Sequence, residues 1–218
     1  MALNVALFHD LLLRVPSAAK LAEEHVQAGT LIVFDHGALR TIDGPTSALP
    51  RGHTAFARVL EPLGYVVGGH YPLPRLKMTG RAYVHRDWPE AIPQFFVSEL
   101  HTSELSEDAQ SAAERVFATS IDPLDPSLNP ILEALSRDGA LPVEQASMLL
   151  TALIGLFDRH HSTPALADYD ILLTHSKEAA WIATEGNAFN HATTRVPDVE
   201  TLAERLKAQG YLMKETVE

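Results

Sequence analysis

The amino-acid sequence predicts an α+β protein built from paired βαβββ modules, with helices at its N-terminus and a helical insertion between the modules. Three observations carry that prediction. Between residues 30 and 105, short β-branched and aromatic runs alternate with proline and glycine, and one helical stretch sits among them. Residues 106–181 show apolar positions three and four apart, as amphipathic helices require. Finally, the pattern Phe34-x-His36-x-x-x-Arg40 returns as Phe189-x-His191-x-x-x-Arg195. A pattern that recurs with the same downstream order marks a duplication.

Residues 1–28 form the N-terminal helices. Leu3, Ala6, Leu7 and Leu11 lie on one helical face and Ala18, Leu21, Ala22 and Val26 on another, with Pro16 at the break. The first module spans residues 29–105. It opens with a buried strand at 31–34 that leads into Asp35-His36-Gly37. A loop through Gly44, Pro45 and Pro50 follows, then a helix over 54–63 stopped by Gly64. Three strands complete the unit at 65–71, 80–85 and 94–100. One sheet of this size cannot bury both faces alone, so a partner layer is expected.

The insertion, residues 106–181, holds helices at 109–117, 130–136 and 143–157, interrupted by Asp122-Pro123 and Gly139. Residues 182–218 begin the second module. A strand at 188–191 is followed by a helix over 199–209 capped by Asp198, and Gly210-Tyr211 opens a further strand, as Gly64-Tyr65 does in the first copy. The pattern stops at Glu218 with this module truncated. An unfinished module leaves sheet edges and apolar surface uncovered, so the expectation is a homo-oligomer or a poorly soluble chain.

Composition narrows the function classes. Hydrophobic residues make up 46% and charged residues 21%, which suits a packed globular chain. With 28 acidic against 17 basic residues the net charge is −11, and no Lys/Arg cluster offsets it, so nucleic-acid binding is not expected. An anionic substrate would need a local positive site within that acidic envelope. The absence of cysteine excludes disulfides, thiolate ligands and a cysteine nucleophile, and fits a reducing compartment. Neither a signal peptide nor a stretch long enough to cross a membrane is visible, so the reading is a cytoplasmic protein with no membrane partner. Phosphate-binding glycine loops and a Gly-x-Ser-x-Gly elbow are also missing.

The duplicated histidines carry the chemistry. Equivalent positions in paired modules converge across a pseudo-twofold axis, and neutral imidazoles ligate Fe(II), Zn or Mn. His36 and His191 are therefore the candidate metal ligands. The competing reading is two polar residues at strand ends. Asp35 and Asn190 point to the other face of a regular strand. Arg40 shares the histidine face if its strand continues, where its guanidinium can clamp a substrate carboxylate; otherwise it is a solvated strand end. Arg195 could do the same, but its place before a helix favours a structural salt bridge. Glu99 is the best internal carboxylate, either a third ligand, a support for one, or an ion-pair partner. Glu104 and Glu107 look like helix starts, and His160-His161 like exposed helical residues.

The strings FDHGALRTI (34–42), FVSEL (96–100) and GNAFNHATTRV (186–196), in this order and spacing, resemble the 2-oxoadipate dioxygenase/decarboxylase family. The resemblance covers nearly the whole chain and is strongest to the shorter bacterial form. It implies a fold related to the vicinal-oxygen-chelate enzymes and an Fe(II)-dependent conversion of 2-oxoadipate and dioxygen to 2-hydroxyglutarate and carbon dioxide. It also implies metal binding by His36 and His191 and recognition of the substrate's distal carboxylate by Arg40. The family's third ligand, a glutamate on the last strand of the second module, has no counterpart before Glu218, so either the sequence is a fragment of a longer protein or Glu99 or a partner subunit replaces that ligand. Two other readings stay open: a zinc or manganese isomerase or hydrolase on the same scaffold, and a non-catalytic module that binds metal or ligand.

Overall fold

The computed structural model describes residues 1–215. Its first two helices, α1 (Ala2–Arg14) and α2 (Pro16–Gln27), break where Pro16 starts the second, a position that does not need the missing N–H. The first module then runs β1 (Val33–Asp43), α3 (Thr54–Leu60), β2 (Tyr65–Leu73), β3 (Met78–His85) and β4 (Gln94–His101). The βαβββ order is the expected one. Strand β1 is much longer than the run of β-branched residues suggests, because His36, Arg40 and Thr41 pair with β4 residues and so join the sheet.

The insertion is α4 (Glu107–Phe117), α5 (Asn129–Asp138), α6 (Val143–Gly155), α7 (Leu166–His175) and α8 (Lys177–Glu185). Helix α8 crosses the expected boundary at residue 181 and leads directly toward β5 (His191–Arg195). Asp198 then caps α9 (Val199–Ala208) by accepting from the Thr201 backbone N–H at 3.1 Å. The strand expected from Gly210-Tyr211 is not formed over the described residues 211–215, and its remainder lies outside them. Among the described residues no helix is long and apolar enough to cross a membrane.

The five strands form one sheet in the order β2-β3-β4-β1-β5. Strand β1 runs parallel to β4 and antiparallel to β5. Alternation then divides the side chains between two faces. Leu39, Phe95, Val97 and Tyr83 point to one face and are fully buried against α1, α3 and α6. Each such burial contributes about 1.5–3 kcal/mol. On the other face, Ile42, Met78 and Leu100 pack under α4, α7 and α8 at one end of the sheet. The rest of that face carries His36, Arg40 and Phe96, and toward β2 it opens to solvent, with Tyr71 about half exposed.

Gly37 lies where β1 meets β5, paired with Ala192. The Phe189 ring covers it, and a Cβ there would sit 1.9 Å from a ring carbon. Gly37→Val should therefore destabilise the fold by about 1–3 kcal/mol through overpacking. Chemical denaturation checks this; an unchanged midpoint would show that the ring can move aside without cost.

Candidate metal centre

Strands β1 and β5 bring the two repeat histidines together. In the antiparallel register Gly37 faces Ala192, His36 faces Thr193 and Ala38 faces His191. A local twofold axis through the Gly37–Ala192 pair therefore carries His36 onto His191, the same correspondence that the repeat shows. The imidazoles project from one face, their centroids 6.1 Å apart and their planes within 14° of parallel. The repeat phenylalanines also meet, Phe34 edge-on to Phe189 at 6.4 Å.

Asp35 does not point away as a regular strand would have it. A bulge between Phe34 and His36 turns its carboxylate back, and Asp35 Oδ2 lies 2.7 Å from His36 Nδ1. Thr193 Oγ1 is also 2.7 Å from that nitrogen while donating to the His36 carbonyl at 3.1 Å. Both contacts suit a proton on Nδ1, which leaves Nε2 as the donor atom for a cation. The hydrogen bond from His36 and the Arg195 guanidinium, together outweighing partial burial, hold the Asp35 carboxyl below the usual range. Asp35 is thus a site residue that alternation alone hides; the only trace in the sequence is a carboxylate next to a repeated histidine. Its repeat counterpart, Asn190, gives His191 no such support, and Asn190 Nδ2 is buried without a hydrogen-bond partner among the described residues.

The surroundings of His191 favour its neutral form. Desolvation, then the electrostatic influence of His36, Arg40 and Lys214, lowers its pKa below that of an ordinary histidine. A neutral imidazole is the form that binds metal.

Arg40 lies on the same face as His36, two pleats along β1, roughly 13 Å away along the strand. Its backbone carbonyl accepts from Asn187 Nδ2 at 2.7 Å. Its guanidinium donates through Nε to Glu178 Oε2 on α8 and lies over the Trp181 ring, 4.7 Å from the centroid. Arg195, by contrast, is a structural residue. It pairs with Asp35 at 2.6 Å and Glu90 at 2.8 Å, so its fork is committed to protein carboxylates.

Glu99 falls on the wrong face to complete the centre. Register places it beside Thr41, on the side opposite Arg40 and His36. There it accepts from the His53 backbone N–H at 2.8 Å, contacts His53 Nδ1 at 2.9 Å and pairs with Arg81 at 2.9 Å. Burial pushes its pKa up, but these bonds more than offset that and the net shift is downward. Gly52, at φ +54°, lets the backbone pass so close that a Cβ would lie 1.8 Å from Glu99 Oε2. Glu99 thus anchors the start of α3. With Asp43 and His101 it offers three ligand atoms within 4.8 Å of one another, but His101 is already bonded to Asp43 and Thr79. His160 and His161 follow α6 in a loop rather than on a helix. Half-buried, they bond the Leu156 and Ala183 carbonyls, at 3.2 Å and 3.0 Å.

Two outcomes follow from this geometry. Asp35→Asn should weaken metal binding roughly 10–100-fold by freeing the His36 ring, measured by metal titration. Glu99→Gln should leave metal affinity within about twofold but flatten the acid limb of stability. A depressed folded-state pKa gives stability that is present above the unfolded value and lost as pH falls through the folded one. Metal loss in Glu99→Gln with unchanged acid unfolding would reverse the two assignments.

Several known proteins share this arrangement of chain. A rice (Oryza sativa subsp. japonica) 2-oxoadipate dioxygenase/decarboxylase of chloroplasts and amyloplasts is 26% identical over 175 residues, 76% of this chain and 40% of the rice protein. A crystal structure from Ralstonia eutropha JMP134, described as a glyoxalase-superfamily protein, superposes with a TM-score of 0.97 at 50% identity, covering 99% of this chain and 68% of that one. The Oryza sativa hydroxyglutarate synthase solved with 2-oxoadipate shares the fold, with a TM-score of 0.69 at 21% identity over 96% of this chain and 64% of its own. This chain therefore spans well under half of the rice relative's length. The model of the 2-oxoadipate dioxygenase/decarboxylase family matches residues 5–218, and the chain belongs to that family of enzymes.

Proposed function

We propose that this chain carries the metal-binding and substrate-recognition face of an Fe(II)-dependent dioxygenase/decarboxylase acting on a 2-oxo dicarboxylic acid of the 2-oxoadipate kind. The observation that supports this most is the placement of His36, His191 and Arg40 on one open face of a single sheet. A pair of imidazoles suits Fe(II), Zn or Mn, and of these ferrous iron fits the dioxygenase chemistry in the family's name. Held by His36 and His191, ferrous iron would supply a Lewis acid for a 2-oxo acid and a reductant for dioxygen.

The protein's own residues do the rest. Asp35 and Thr193 fix the His36 ring. Arg40 and Lys214, which add to burial in lowering the pKa of His191, also draw a dianion into a chain whose net charge is −11. Arg40 binds the distal carboxylate. Between His36 and Arg40 the strand carries only the small Ala38 on this face, which leaves room for the substrate chain, while the ring of its partner Phe96 lies over Gly80 and against Tyr71. The balance closes without a further cosubstrate. One oxygen atom of dioxygen ends in the new carboxylate, the other in the hydroxyl group, and the original carboxylate leaves as carbon dioxide.

Oxygen uptake with 2-oxoadipate, on protein loaded with iron and then with zinc, tests the reaction. The expected result is uptake matched by carbon dioxide release with iron only. Turnover with zinc and no oxygen uptake would make the chain an isomerase or hydrolase; tight binding without turnover would make it a binding module. Arg40→Lys should cost about 1.5–3 kcal/mol of affinity for the diacid, roughly ten- to hundredfold, with metal content unchanged. Loss of metal instead would make Arg40 structural.

A further inference from the structure

Helix α8 of the insertion reaches Arg40 of the candidate site. Its buried Ala179, Ala180, Ile182 and Ala183 pack against the second core cluster, and Ser176 caps its start by accepting from the Ala179 backbone N–H at 3.1 Å. A helix fixed this way holds Glu178 and Trp181 still, and both touch Arg40. Glu178 takes the guanidinium by Nε and by neither terminal nitrogen, while Trp181 covers one of its faces. Asn187, just beyond the same helix, holds the Arg40 carbonyl. Three residues further on, Asn190 donates its backbone N–H to Ala38, and His191 follows.

We propose that Glu178 and Trp181 are positioning residues that set the substrate length this site accepts. The proposal rests on the reading above, in which Arg40 receives the distal carboxylate. An arginine can present a carboxylate with its side edge, Nε and one Nη, or with its two terminal nitrogens. With Nε bound to Glu178, the side edge is closed and the terminal pair remains. With one face against Trp181, the plane of the fork is fixed as well. The direction and distance from the fork to the His36–His191 pair are then set by α8 and not by the rotamer freedom of a long side chain. The segment that runs from Glu178 to His191 holds both ends of that span. A free arginine would follow diacids of several lengths; a clamped one measures a single length.

The test is the affinity of the metal-loaded chain, by calorimetry, for 2-oxoadipate, for 2-oxoglutarate, one methylene shorter, and for 2-oxohexanoate, which lacks the distal carboxylate. Removing the Glu178 charge can raise overall affinity for anions, so selectivity between the two diacids is the quantity that decides. Glu178→Gln should lower the preference for 2-oxoadipate over 2-oxoglutarate roughly tenfold. Glu178→Asp keeps the charge and draws it back by one methylene, and should lower that preference as well; 2-oxohexanoate affinity should hardly move in either variant. If Glu178→Gln fails to fold, the Asp variant decides alone. Arg40→Ala serves as the control. Should it leave 2-oxoadipate binding unchanged, or should the unaltered chain bind none of the acids, the reading of Arg40 fails and this proposal with it. Should Arg40→Ala abolish diacid binding while both Glu178 variants keep the selectivity within about twofold, only the proposal about α8 is overturned.

Discussion

The pairing of β1 with β5 is the constraint on which the site depends. These strands are more than a hundred residues apart in sequence, yet their antiparallel register sets Gly37 against Ala192 and so places the two repeat histidines about one local axis. Several side chains enforce that register. Phe189 fills the space that Gly37 leaves, and Arg14 of α1 donates to the Phe189 carbonyl at 2.6 Å. Asn187 and Asn190 bond the Arg40 and Ala38 carbonyls of β1. A slip of one residue would send His191 to the opposite face and leave His36 alone.

Alternation along β1 and β4 then separates structure from chemistry. One face carries Leu39, Thr41, Phe95, Val97 and Glu99 into the core and the start of α3, where Glu99 is fully employed by His53 and Arg81. The other face carries His36, Ala38, Arg40 and Phe96 toward open space. Charge follows the same division. In a chain whose net charge is −11, burial first and then the neighbouring His36, Arg40 and Lys214 lower the pKa of His191. On the reading proposed above, Arg40 gives a small dianion its partner on this face.

Much of this was legible before any coordinates. The βαβββ order, the helical insertion, the N-terminal pair broken at Pro16 and the capped α9 all follow from local periodicity and turn residues, which act over a few neighbours. The repeat disclosed the histidine pair because symmetry in a sequence becomes symmetry in space. What escaped the sequence depends on neighbours that are remote in the chain. The β-bulge that turns Asp35 toward His36 exists only because β5 pairs there. Of the readings open for Glu99, the ion pair is the one present, with Arg81, and its face relative to His36 depends on the register of β4 against β1, where a shift of one position reverses the answer. The contact of Glu178 and Trp181 with Arg40 joins residues that no local pattern connects. For Arg195 the local argument was sufficient: an arginine before a helix found carboxylates, Asp35 and Glu90.

The central claim is that His36 and His191 share one metal ion across the β1–β5 pair. Anomalous X-ray scattering from crystals soaked in Fe(II) or Zn tests it most directly. The account predicts one strong peak on the open face of the sheet, about 2.1 Å from an imidazole nitrogen of each histidine, and its loss in His191→Ala. A peak at Asp43, Glu99 and His101 instead, or no peak near the histidine pair, would contradict it.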